Sequence, residues 1–103
     1  MQGKKVGIVG GLGYMSTLEY YRGIMKESQT YTNSGEYPEL VIASLNIADV
    51  MRMLEKGFYE QVTWYLYRAI QDLRKARADF AVIASNTPHI VFDKLLLFSM
   101  QIQ

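Results

Sequence analysis

Two short stretches hold the groups that could do chemistry: "GGLGYMS" at 10–16 and "ASNTPH" at 84–89. In the second, Ser85, Asn86, Thr87 and His89 bring two hydroxyls, an amide and an imidazole to the end of an apolar run. Such a set looks like the lip of an active site, with a serine where chemistry would want a stronger group. In the first, glycines ahead of a helix expose backbone N–H groups at its N-terminus, which suits a carboxylate as well as a phosphate. Each stretch also has a plainer reading. Glycine punctuates tight turns, Thr87 caps a helix with Pro88 in its first turn, Asn86 makes a turn and His89 lies at the surface. A dinucleotide site fits poorly, because Ser16 stands where the glycine fingerprint wants Gly or Ala, and Asn46 stands where strand two should end in an acid. A serine triad fits no better, since "IASNT" lacks the glycines that let a strand turn sharply around a nucleophile.

The chain of 103 residues has the length of one domain, 1–103, and its 50% hydrophobic and 20% charged residues are the usage of a folded globular protein. Eleven Lys and Arg against ten Asp and Glu give a net charge of +1, too balanced for a nucleic-acid footprint. No apolar run approaches the roughly 20 residues that span a bilayer, and "MQGKK" leads straight into a strand-like segment without a cleavage site. A cytoplasmic protein with no nucleic-acid or membrane partner is expected. The absence of cysteine excludes disulfides and thiol catalysis within the chain, and a single histidine excludes a multi-histidine metal site. No metal is expected.

These groups need elements to position them. "KVGIVGG" predicts a buried strand over 5–9, and Ser16 with Glu19 forms a capping-box pattern that starts a helix near Ser16, with Leu18, Tyr21, Ile24 and Met25 on one face. The stretch 28–38 predicts a loop, and "ELVIASL" a strand over 39–45. A short helix from Asp49, with Asp49 as its cap, ends at Gly57. A longer helix follows on the stripe Phe58, Val62, Tyr65, Leu66, Ala69, Ile70 and Leu73. "DFAVIA" predicts a strand over 79–84 and "HIVFDKLLL" a last helix, after which "FSMQIQ" fits either an edge strand or a frayed end. Trp64, Tyr65 and Tyr67 cannot all enter one small core, so exposed aromatic surface is expected, and Met51 and Met53 offer an adaptable pocket wall. The order β-α-β-α-α-β-α implies an α/β fold: one three-layer domain with a short parallel sheet of three or four strands flanked by helices. Ligands in such sheets bind beyond the carboxyl ends of the strands.

In these two loops, "VGIVGGLGYMSTLEYYRGI" and "DFAVIASNTPHIVFDKL", the chain resembles the aspartate/glutamate racemase family of amino-acid racemases, from residue 5 to about residue 95. The resemblance implies one half, the N-terminal one, of a fold of two similar α/β domains that bind an acidic amino acid, aspartate or glutamate, in the cleft between them. It implies cofactor-independent racemisation by two acid–base groups on opposite faces of the α-carbon, commonly two cysteines, one per domain. Ser85 occupies the first-domain cysteine position and is the expected catalytic residue. Substrate contacts carry over to Asn86 and Thr87, to Gly11, Leu12, Gly13 and Ser16 of the glycine loop, and to Asn46 of the strand-two loop. Three departures stand out: Tyr14 replaces the usual proline, Arg77 stands where "GADF" commonly has glycine, and the pattern stops after Leu95. The expectation is a truncated chain, its C-terminal domain absent, with little activity alone. One alternative is a homodimer in which two Ser85 loops face each other. Another is a non-catalytic module that binds acidic amino acids or a protein partner.

Overall fold

The structure, a computed structural model, describes residues 4–31 and 34–85. Three parallel strands, β1 (Lys5–Leu12), β2 (Glu39–Ser44) and β3 (Phe80–Ser85), form a sheet in the order β2-β1-β3. Between them lie α1 (Tyr14–Tyr31), α2 (Ile47–Glu55) and α3 (Tyr59–Lys75). β1 is central, flanked on both edges, and Val6, Ile8 and Val9 are fully buried, as a near-continuous apolar run in a parallel sheet requires.

Glycines in β1 show how the layers are arranged. Side chains alternate across a strand, so Gly7 and Gly10 face opposite sides of the sheet. A Cβ on Gly7 would meet Leu73 of α3 and Ala78 at 3.1 Å, whereas one on Gly10 would meet Thr17 of α1 at 2.7 Å. Hence α1 covers one face and α3 the other, and both helices approach the sheet closely because β1 carries no side chain at those points. The larger core lies on the α3 side, where Val9, Leu12, Val50, Val62, Leu66, Ala69 and Leu73 form one buried cluster.

The chain departs from the sequence-based boundaries for local reasons. β1 runs to Leu12 rather than stopping at residue 9. Helix α1 begins at Tyr14, not near Ser16: the Ser16 N–H donates to the Gly13 carbonyl at 3.0 Å, so Ser16 sits inside the first turn and the proposed capping box does not form. The same helix runs on to Tyr31, into the stretch expected to be loop. α2 is capped by Asn46 instead of Asp49, with the Asn46 side chain accepting from the Ala48 N–H at 3.0 Å, and Asp49 pairs with Arg52 one turn on. β2 ends at Ser44, one residue short, and β3 is offset by one residue to Phe80–Ser85. Phe58 lies outside the core stripe, exposed just before α3. The expected exposed aromatic is Trp64, 51% accessible, which meets Tyr67 edge-on at 5.8 Å. The last helix and the tail, with Asn86, Thr87 and His89, lie outside the described residues.

α2 and α3 end in the same way. The Gly57 N–H donates to Leu54 and the Phe58 N–H to Met53; the Arg77 N–H donates to Arg74 and the Ala78 N–H to Leu73. Both are Schellman closures with a left-handed residue after the cap, Gly57 at φ 73° and Arg77 at φ 68°. Arg77 is the one non-glycine residue with positive φ among the described residues, at the position noted above, where a left-handed helix cap favours glycine.

Candidate active site

Because all three strands run parallel, their carboxyl ends share one edge of the sheet. There β1 contains one residue more than β3: Val9 pairs with Ile83, yet Leu12 pairs with Ser85. This bulge reverses the strand's alternation, so Leu12 joins Val9 in the same buried cluster although the two stand three positions apart. It also sets Ser85 beside the glycine loop. The structure thus brings Ser85 together with Gly11, Leu12 and Gly13 at one strand end, with Ser85 half-buried at the close of β3.

The glycine loop is held from two sides. Gly11, at φ 81°, donates its N–H to the Thr17 hydroxyl at 3.0 Å. A Cβ there would lie 2.7 Å from the Leu45 nitrogen and 2.7 Å from the Ser44 hydroxyl, and against the Leu45 carbonyl. The Leu45 N–H in turn donates to the Gly10 carbonyl at 2.8 Å. Glycine is therefore required at 11 twice over, by its backbone conformation and by the close approach of the β2 end. Gly13, at φ 97°, faces open space, so only its conformation constrains it.

What the loop can offer a ligand is narrower than the sequence implied. The Gly11 N–H is already used by Thr17. Helix geometry leaves the first-turn N–H groups of Tyr14 and Met15 without intrahelical acceptors, and these are the backbone donors at the head of α1. Ser16 is only 8% accessible, which leaves little of it to meet a ligand. Asn46 lies exposed in the adjoining loop; its Oδ1 caps α2, and its Nδ2 remains as a donor. Its backbone N–H donates to the Tyr65 hydroxyl at 2.8 Å. Tyr14, Met15, Ile47 and Met51 add exposed apolar surface at the starts of α1 and α2. Met53, by contrast, packs against the core cluster rather than forming a pocket wall.

Two contributors escaped the sequence reading. Thr17 hides next to the more conspicuous Ser16; its signal is a hydroxyl one turn into the helix that follows the glycines. Tyr65 looks like one more member of the α3 stripe, and only its reach to Asn46 distinguishes it. Among the described residues no group of three or more His, Cys, Asp or Glu side chains could hold a metal, and no helix is long and apolar enough to cross a membrane.

Comparison with known proteins agrees with this geometry. A sequence model of the Asp/Glu/hydantoin racemase family matches residues 9–96, from the middle of β1 to beyond Ser85. Among solved structures, an Asp/Glu racemase candidate from Yersinia pestis superposes with a TM-score of 0.81 at 26% identity over 89% of this chain. An aspartate racemase homologue from Pyrococcus horikoshii does so with a TM-score of 0.77 at 36% identity over 90% of this chain. In both cases the chain spans 40% of the length of the protein it matches. The matched region contains the whole β-α-β-α-α-β unit except the start of β1, and the chain belongs to the Asp/Glu/hydantoin racemase family.

Proposed function

We propose that this chain forms one wall of a cofactor-independent amino-acid racemase site, taking aspartate or glutamate at the carboxyl ends of its strands. Ser85 faces the substrate α-carbon as the acid–base group of this wall. The first-turn amides of α1, the Asn46 amide, and Asn86 and Thr87 bind the carboxylates. The observation that supports this reading is the pairing of Leu12 with Ser85, which brings the serine's backbone beside the glycine loop.

The chemistry limits what these residues achieve by themselves. Racemisation needs a base on one face of the α-carbon and an acid on the other. A thiol titrates near pH about 8.5 and supplies thiolate at neutral pH, whereas a serine hydroxyl is a far weaker acid. The chain has no cysteine, and one wall leaves the substrate open to water, where positioned groups lose most of their advantage. The 103 residues alone therefore bind better than they turn over, and a second wall, such as another copy in a cytoplasmic homodimer, raises the rate. The lack of cysteine also favours a second reading, a domain that captures acidic amino acids without turnover.

Proton NMR in deuterated buffer tests both. L-Aspartate, L-glutamate and, because the family includes hydantoin racemases, a substituted hydantoin are incubated with the protein and with Ser85→Ala. Loss of the α-proton signal that disappears in the variant makes Ser85 a working base. Saturable binding without exchange leaves the capture reading. Neither binding nor exchange overturns both.

A further inference from the structure

We infer that Tyr65 is a positioning residue that locks the loops after β1 and β2 into a single rigid body; its role in ligand binding rests on the function proposed above. The chain of contacts is continuous. The Tyr65 hydroxyl on α3 accepts the Asn46 N–H at 2.8 Å, nineteen residues away in sequence. Asn46 is the cap of α2, its Oδ1 holding the Ala48 N–H and its carbonyl accepting from Asp49 at 3.1 Å and Val50 at 3.3 Å. Next to it, the Leu45 N–H is bonded to Gly10, and the Leu45 backbone lies against Gly11 with no room for a Cβ. Gly11 in turn is tied to Thr17 on α1. One phenolic oxygen on α3 thus anchors a path that crosses the β2–α2 loop and the glycine loop to the first turn of α1.

The physical reason for a tyrosine at this point is specific. The N–H of a cap residue has no acceptor within its own helix, and the loop around Asn46 is exposed to water that would otherwise compete for it. A tyrosine half-buried among the side chains around the core has its ring fixed by packing, so its hydroxyl is an acceptor already in place. Phenylalanine would fill the same volume and leave the loop untethered. The consequence for the site is preorganisation: Asn46 and the amides at the head of α1 keep one mutual spacing before a ligand arrives, and binding spends less free energy on ordering them.

Tyr65→Phe, compared with wild type by amide hydrogen exchange and by calorimetry with L-aspartate, tests this. A coupled lock predicts faster exchange, by about three- to tenfold for the loss of one neutral hydrogen bond, at Asn46 and also at Leu45 and Gly11, whose N–H groups bond to Gly10 and Thr17 rather than to Tyr65. Val9 and Val82 in the sheet serve as references for global stability and keep their wild-type rates. Aspartate affinity falls by a similar factor. Acceleration confined to Asn46 overturns the lock, because the bond is then local; unchanged exchange at all three overturns it outright. If wild type binds neither aspartate nor glutamate, the proposed ligand is lost, and the exchange pattern still decides whether the loops move as one. A lock seen by exchange with unchanged aspartate affinity rejects the positioning role.

Discussion

Substituting alanine at Gly11 and, separately, at Gly13 divides two causes that act together in the glycine loop. Both residues have positive φ, 81° and 97°, so each alanine forces a side chain into a conformation that costs on the order of 1–3 kcal/mol. Only at Gly11 does the new Cβ collide, with the Leu45 nitrogen and the Ser44 hydroxyl at 2.7 Å and with the Leu45 carbonyl. These are mostly backbone atoms held by the Leu45 to Gly10 hydrogen bond, and they cannot swing aside as a flexible side chain would. Relieving such an overlap adds about 1–3 kcal/mol. Gly11→Ala should therefore lose about 2–6 kcal/mol and Gly13→Ala about 1–3, the difference measuring the close approach alone. For a domain of this size a gap of about 2 kcal/mol separates the melting temperatures by about 10 °C. Urea titrations followed by circular dichroism, with unchanged m-values, give the free energies directly. Equal losses in the two variants would refute the claim that the β2 end presses on the loop.

Further substitutions test other contacts of the fold. Arg77→Gly relieves a left-handed side chain at the end of α3, where the strain of about 1–2 kcal/mol exceeds the extra entropy that glycine gives the unfolded chain; a gain of about 0.5–1 kcal/mol is expected in thermal melts, with Gly57→Ala losing a comparable amount. Thr17→Val removes the acceptor of the Gly11 N–H and should cost about 1–3 kcal/mol, while Thr17→Ser, which keeps the hydroxyl, should stay closer to wild type in the same urea titration. Leu66→Ala empties a site that is 2% accessible at the centre of the α3 core and should cost about 2–5 kcal/mol.

What the sequence made legible was the part governed by period and composition. The α3 stripe of Val62, Leu66, Ala69 and Leu73 lies in the core because apolar residues at helical spacing have one face to bury. The parallel topology follows from strands alternating with helices, and the strained Arg77 from the rule that a helix closing this way favours glycine. The two helix starts were misplaced for one shared reason. Ser16 and Asp49 are good caps by type, but which residue caps is settled by backbone geometry: Gly13 turns the chain into α1, and Asn46, tethered by Tyr65, turns it into α2. Nor does the linear sequence announce the extra residue in β1. Without that bulge Ser85 would not pair with Leu12: the serine and the glycine loop could be assigned to one site, but their register against each other could not be read.

That adjacency permits a sharper test of the serine. If Ser85 sits where a base should stand, Ser85→Cys changes the proton affinity of the group while leaving its position in β3 intact. At pH about 7.5 a thiol with the reference pKa of about 8.5 is about one-tenth thiolate, and a serine hydroxyl is essentially all protonated. The cysteine variant should therefore exchange the α-proton of L-aspartate for deuterium faster than wild type. The configuration of the product then reports how many walls the site has. A single base removes and returns the proton on the same face, so deuterium enters with retention and the product stays L. A second acid–base group across the cleft, such as that of a second copy, delivers deuterium from the opposite face, and D-aspartate accumulates. Retained configuration at every protein concentration would mean one wall acting alone. Inversion that rises with protein concentration would mean that two copies close around the substrate. Absence of exchange in the cysteine variant, with the fold and aspartate binding intact, would show that Ser85 does not face the α-carbon, and the catalytic part of the proposal would fall.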